Sequence, residues 1–163
     1  VCPLTTHIPI KKVYKYITKK NIIDKTILIH DFYKKYRNIK PKIAILGLNP
    51  HCESTDKFNE DDKVLKPAIK SLKKSGFNIS GPYSADTIFL KKNRRQFDVV
   101  VGMYHDQVLT PMKTIFEYDA INITLGLSFI RISPDHGPNE KMIGKDNSDP
   151  MSLIRSLEFL DKR

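Results

Sequence analysis

The stretch Asp98-Val-Val-Val-Gly-Met-Tyr-His-Asp-Gln-Val-Leu-Thr-Pro-Met-Lys113 changes character at one point, from an apolar run to a cluster of titratable and hydrogen-bonding groups. Val99, Val100 and Val101 are β-branched and uninterrupted, the composition of a strand buried on both faces, as in parallel sheets covered by helices. Tyr104, His105, Asp106 and Gln107 stand where that strand should end. In open α/β sheets, ligands collect at the carboxyl ends of strands. The stretch therefore predicts an α/β class and a place for chemistry. The pattern recurs at Lys42-Ile43-Ala44-Ile45-Leu46-Gly47-Leu48, a buried strand that runs into Asn49-Pro50-His51. Pro3-Leu4-Thr5-Thr6-His7-Ile8-Pro9-Ile10 reads as the end of another strand entering a turn.

Helices are expected between these strands. Ile22, Ile23, Ile27, His30, Tyr33 and Tyr36 recur at three- and four-residue spacing, which predicts an amphipathic helix over 21–36 with Lys25, Lys34 and Lys35 outside. His30 within that stripe reads as a packing residue. Residues 52–64 read as a polar loop. A helix follows over 65–75, with Pro67 in its first turn and Gly76 as its stop. Ser84 can cap a short helix carrying Asp86 and Phe89. Lys91 to Arg95 reads as an exposed basic connection. Ile121 to Leu125 and Phe129 to Ser133 are strand-like around Gly126; 135–138 and Gly144 are turns, and Ser148, Asp149 and Pro150 open a last helix ending at Leu160. The chain has no internal repeat, low-complexity tract or linker, so 1–163 is expected to be a single α/β unit.

Composition narrows the class. At 163 residues, 40% hydrophobic and 28% charged, the chain can build one domain with a core. Its apolar runs fall far short of the roughly 18 residues of a membrane span, and no signal-peptide pattern opens it, so a cytoplasmic location is expected. Cys2 and Cys52 form neither a disulfide framework nor a C-x-x-C pair and read as free thiols. The net charge of +10 is concentrated between Lys11 and Lys42, where only Asp24 and Asp31 oppose the basic residues. A solvated helical surface, a nucleic-acid partner and a phosphorylated small molecule each accommodate such a face.

His7, His51 and His105 share one setting, each following a strand-like segment, so one sheet edge could gather them. Three neutral imidazoles make an open site for a divalent metal. They lack the local spacing of a signature such as H-E-x-x-H, and the residues alone leave metal ligation and ordinary packing both open.

Six motifs occur together and in order: Thr5-Thr6-His7-Ile8-Pro9, Gly47-Leu48-Asn49-Pro50-His51, Gly81-Pro82-x-x-Ala85-Asp86-Thr87, Met103-Tyr104-His105-Asp106-Gln107, Asn122-x-Thr124-Leu125-Gly126-Leu127 and Ile130-Arg131-x-Ser133-x-Asp135-His136-Gly137. With them the chain resembles the 4-hydroxythreonine-4-phosphate dehydrogenase family of the pyridoxal phosphate pathway. That resemblance implies an isocitrate/isopropylmalate dehydrogenase-like α/β/α sandwich, here the C-terminal half carrying the metal and NAD sites. It implies that His7, His51 and His105 bind a divalent metal, zinc first and cobalt or magnesium as alternatives, at a homodimer interface with ligands from both subunits. Asp86, Lys113, Asn122 and Arg131 would face the substrate, with Lys113 and Asp86 catalytic. His136, Gly137 and Gly144 would lie in the adenosine-binding loop for NAD, a superfamily feature that needs no G-x-G-x-x-G motif. The residue types agree: Arg131 is a planar fork for carboxylate or phosphate, and Lys113 a compact cation able to share a proton.

The activity so implied is oxidation of 4-phosphooxy-L-threonine to 2-amino-3-oxo-4-phosphooxybutanoate, which decarboxylates to 3-amino-2-oxopropyl phosphate. Two alternatives stand beside it: a sister dehydrogenase of threonate or erythronate 4-phosphate, and a basic nucleic-acid-binding domain. Three departures qualify the resemblance. Cys52-Glu53-Ser54 stands where the family reads Ala-Gly-Glu, Ser128 where proline is common, and Pro138 where threonine is common. Cys52 reads as packing in place of alanine or, alternatively, as a thiolate ligand. Family members are about twice as long, so this chain is expected to be a fragment and a poor catalyst alone.

Overall fold

Val99 to Gly102 (β4) and Ile43 to Leu46 (β2) are the central strands of a four-stranded parallel sheet, and every residue of both is buried. The computed structural model describes residues 1–137, 140–145 and 147–161. With Cys2–Pro3 (β1) and Ile79–Tyr83 (β3), the order is β1-β4-β2-β3. Ile43, Ala44 and Ile45 pair with Val99, Val100 and Val101, and Cys2 pairs with Val101. The expected α/β class forms, and the sheet, which the sequence left as parallel or mixed, is parallel. Alternation sends Ala44, Leu46 and Val100 to one face, where they pack with Ile88 and Val108 and with half-buried Tyr83, Phe89 and Phe97. Ile43, Ile45 and Val101 point to the other face and are equally sealed. Each such side chain contributes about 1.5–3 kcal/mol by burial, which outweighs the propensity of any single residue.

Three helices come first in sequence order, α1 (Ile10–Tyr16), α2 (Lys19–Arg37) and α3 (Lys66–Lys74); α3 packs against β3 and α2 against α3. In α2 the Thr18 hydroxyl caps the start by accepting from the Asn21 N–H, and Asn38 ends it at φ 53°. Its buried line is Ile22, Thr26 and Ile29, one step round from the apolar stripe read in the sequence, and Ile27 is 39% exposed. Thr26 can replace an aliphatic residue there because its hydroxyl donates to the Ile22 carbonyl at 2.8 Å. His30 sits edge-on to Phe77, a packing role. In α3, Pro67 lies in the first turn, Ala68, Ile69 and Leu72 are buried, and Gly76 follows at φ 86°.

Several local expectations are corrected. The loop expected over 52–64 ends early, because Asp61–Leu65 is a π-helical turn whose ends, Asp61 and Leu65, are buried. Residues 10–16, to which the sequence assigned no element beyond the turn ending at Ile10, form α1; only Val13 is buried there, too little to create periodicity. The basic connection is a helical turn, α5 (Lys91–Arg94), preceded by α4 (Ala85–Ile88). Ser84 does occupy the first cap position of α4, but its side chain makes no capping hydrogen bond.

The chain forms two compact units, Val1–Pro111 and Met112–Arg163. Their boundary falls within α6 (His105–Phe116), a continuous helix, so no linker composition marks it. In the second unit β5 (Ile121–Thr124) and β6 (Arg131–Pro134) pair antiparallel and α7 (Met151–Asp161) packs on them. Asp149 caps α7 by accepting from the Met151 N–H. The Ser152 hydroxyl donates to the Ala120 carbonyl and accepts from the Asp135 N–H, stitching helix to ribbon. The predicted strand over Phe129 to Ser133 starts only at Arg131; Phe129 is 63% exposed and has no ladder partner. Among the described residues no helix is long and apolar enough to cross a membrane.

Candidate metal and substrate site

The strand ends of the first unit are tied to one another before any functional group is considered. Thr5, buried just past β1, donates its hydroxyl to the Met103 carbonyl past β4 at 2.8 Å. Gln107, in the first turn of α6, accepts from the Met103 N–H at 2.7 Å and donates to the Gly47 carbonyl past β2 at 2.8 Å. One carboxamide thus satisfies backbone groups on the loops after β4 and β2, reaching 60 residues back along the chain from Gln107 to Gly47.

On this frame His7 and His105 come together, with ring centroids 5.7 Å apart and planes tilted by 43°. They line a cavity of about 220 Å³ with Thr6, Ile10, Tyr104 and Asp106. His105 Nδ1 lies 2.7 Å from Asp106 Oδ1. An ionised carboxylate can only accept, so the hydrogen of that contact belongs to Nδ1; in the neutral imidazole Nε2 then carries the lone pair. This is the orientation that a carboxylate gives a metal-binding histidine.

His51 is presented separately, exposed on the turn Pro50–Cys52 at the end of β2, with φ 54°. Among the described residues no three His, Cys, Asp or Glu side chains are grouped so as to hold a metal ion. Two of the three candidate histidines therefore meet within this chain. Cys52, next to His51 in the chain, is buried, and burial, then the nearby Asp61 carboxylate, push its thiol up, against the thiolate-ligand reading. Asp86 is exposed in α4.

The remaining candidates belong to the second unit. Lys113 is half-buried, pairs with Asp135 Oδ2 at 3.0 Å and also donates to the Asp135 carbonyl. Asn122 on β5 and Arg131 on β6 share one face of the ribbon, since Arg131 stands opposite Thr124, two residues along from Asn122. Arg131 Nη1 donates to Thr124 Oγ1 at 3.0 Å, leaving most of its fork exposed. His136 and Gly137 are exposed, with the His136 ring 3.1 Å from the Gly137 carbonyl, and Gly144 turns the chain at φ 73°. Pro138 lies outside the described residues.

Against known proteins, the pattern of the family described as pyridoxal phosphate biosynthetic protein PdxA matches residues 1–160. The chain belongs to that family. A 4-hydroxythreonine-4-phosphate dehydrogenase of Sulfurihydrogenibium sp. is 48% identical over 162 residues, which are 98% of this chain and 49% of the relative. The enzyme of the same name from Xanthobacter autotrophicus is 40% identical over 161 residues, 98% of this chain and 46% of the relative. The crystal structure of 4-hydroxythreonine-4-phosphate dehydrogenase from Klebsiella pneumoniae aligns with a TM-score of 0.80 at 33% identity, over 95% of this chain and 48% of that one. The chain spans about half the length of the curated relatives it matches.

Within this PdxA-family chain, sequence reasoning missed Thr5, Asp61 and Gln107 as supports of the site. Gln107 had a faint signal, an amide side chain five residues after the end of β4. Asp61 had none, because Asn59-Glu60-Asp61-Asp62 looks like a solvated acidic run.

Proposed function

We propose that the protein carrying this chain is an NAD-dependent, divalent-metal-dependent dehydrogenase of 4-phosphooxy-L-threonine in pyridoxal 5'-phosphate synthesis, working in the cytoplasm. What carries the reading is the His7–His105 pair at the ends of β1 and β4, with Asp106 aiming His105, in a chain of the PdxA family. The donor set fits a borderline divalent ion such as zinc or cobalt, whereas magnesium prefers oxygen ligands. His7 and His105 would hold it, and His51 would complete the set in a homodimer whose site is shared between subunits. When bound, such an ion supplies Lewis acidity toward the substrate's secondary hydroxyl.

The chain's own residues take the other tasks. The Arg131 fork suits the carboxylate or phosphate and Asn122, on the same face, a hydroxyl or amine. Lys113 is a cation held in place by Asp135; to take the hydroxyl proton it would first have to leave that partner and give up a proton of its own, since an ammonium group has no lone pair. Asp86 would assist as a second proton carrier. His136, Gly137 and Gly144 would form the NAD loop. In the reaction the carbon bearing the hydroxyl gives a hydride to NAD and the hydroxyl gives up its proton, leaving 2-amino-3-oxo-4-phosphooxybutanoate. Breaking the bond to its carboxyl group then releases carbon dioxide, and the enolate left behind takes up a proton at that carbon to give 3-amino-2-oxopropyl phosphate.

The test is NADH formation by the purified protein with 4-phosphooxy-L-threonine and, in parallel, threonate and erythronate 4-phosphates. The expected result is turnover of the first substrate that a chelator abolishes and that is lost in His105→Ala. Turnover restricted to the sugar-acid phosphates, or a rate indifferent to both chelator and His105→Ala, would overturn the reading.

A further inference from the structure

Asp61 is charged yet fully buried, at 0% exposure, and no step of the proposed reaction uses it. Its Oδ1 accepts the Leu48 N–H at 2.8 Å, while its Oδ2 accepts the Asn49 backbone N–H at 3.1 Å and the Asn49 side-chain amide at 2.9 Å. Its own N–H donates to Asn59 Oδ1 at 2.9 Å. A buried carboxylate persists only with such a set of donors.

The segment held in this way is itself unfavourable. His51 and Cys52 are consecutive non-glycine residues in the left-handed region, at φ 54° and 61°. Conformations of that kind persist only where the surroundings over-determine them. Space is equally constrained, because a Cβ on Gly47 would lie 2.7 Å from Cys52 Sγ and 2.8 Å from Asp61 Oδ1. On its other side the same turn is tied by Gln107, through the Gly47 carbonyl, to Met103, two residues before His105.

We propose that Asp61 is a positioning residue for His51: its buried carboxylate locks the Gly47–Asn49 turn in the arrangement that presents the His51 imidazole. The consequence for metal binding rests on the proposed function, in which His51 is a ligand; the locking of the turn does not.

The test compares Asp61→Asn, Asp61→Glu and Leu65→Ala. Leu65 is buried in the same π turn but makes no side-chain hydrogen bond to the loop, so its truncation reports a general loss of stability. Asp61→Asn keeps the shape while turning one acceptor into a donor that faces N–H groups. Two NMR readouts need no metal: amide exchange at Leu48 and Asn49, and the backbone coupling constant of His51, which reports its positive φ. A third is cobalt titration. In Asp61→Asn, exchange at both amides should speed up about 10- to 100-fold, and the His51 coupling should lose its left-handed value. Leu65→Ala should keep both, and Asp61→Glu should recover part of the loss. Cobalt affinity of Asp61→Asn should fall about 10- to 100-fold, the range for groups that orient metal ligands. If Asp61→Asn does not fold, Asn59→Ala, which frees the Asp61 backbone, should show the same changes more weakly. Unchanged exchange and coupling in a folded Asp61→Asn or Asn59→Ala variant, or equal changes in Leu65→Ala, would overturn the proposal. If the unaltered protein takes up no cobalt while Asp61→Asn still releases the turn, the positioning role stands and the metal reading falls.

Discussion

Asp106 and Gly102 set two demands on the His105 end of β4, one electrostatic and one steric. Asp106 lies 2.7 Å from His105 Nδ1, so Asp106→Asn should weaken divalent-metal binding by about 10- to 100-fold with little loss of stability, read by cobalt titration alongside a thermal melt. Gly102 has no room for a side chain: an added Cβ would stand 2.4 Å from Cγ1 of Val108, a stiff, fully buried residue. Gly102→Ala should therefore cost about 1–3 kcal/mol, measured by urea unfolding. At this scale the sequence is legible for residues whose chemistry is unusual in their surroundings, such as the histidines after apolar runs. It is silent for Asp61, because a carboxylate among other acids looks solvated until the fold folds a turn over it.

Among the elements, those the sequence reveals are those with one sealed face or two. The valine run of β4 and the apolar run of β2 have both faces covered, and α3 has Pro67 and Gly76 at its ends as punctuation. Helices α1 and α5 escape detection because they bury one residue and none, which leaves no amphipathic stripe, and because no side chain caps the start of either. The register of α2 is misread for a related reason: tertiary contact, together with the Thr26 hydroxyl bond, selects a face that apolar spacing alone would place elsewhere. Two outcomes follow for these helices. Leu72→Ala, which empties a site buried on α3, should destabilise the first unit by about 2–5 kcal/mol in urea unfolding. Thr18→Ala, which removes the cap of α2, should cost about 1 kcal/mol by the same measurement.

For the molecule as a whole, burial sets the alkaline limit of stability. Burial pushes up the thiol of Cys52 and the phenol of Tyr33, aided in turn by the Asp61 and Asp98 carboxylates. Both groups are neutral when protonated, and a folded-state value above the unfolded one means that the fold favours the neutral form. Their contribution is complete below the unfolded values and is lost as the pH rises through the folded ones, so stability should decline from roughly pH 9 upward. Urea midpoints across that range should show the decline, and Cys52→Ala should reduce its lower-pH part, which it shares with the Cys2 thiol that burial also pushes up, while leaving that of Tyr33. The sequence by itself determined the α/β class, the buried strands β2 and β4, the family and the positions of the histidines, because these rest on local composition and on motifs in fixed order. Only the tertiary structure decided that His7 and His105 meet while His51 is held apart on a strained turn, that Lys113 is engaged by Asp135, and that the unit boundary runs through α6. Those outcomes depend on distances between groups remote along the chain, and no local pattern encodes such distances.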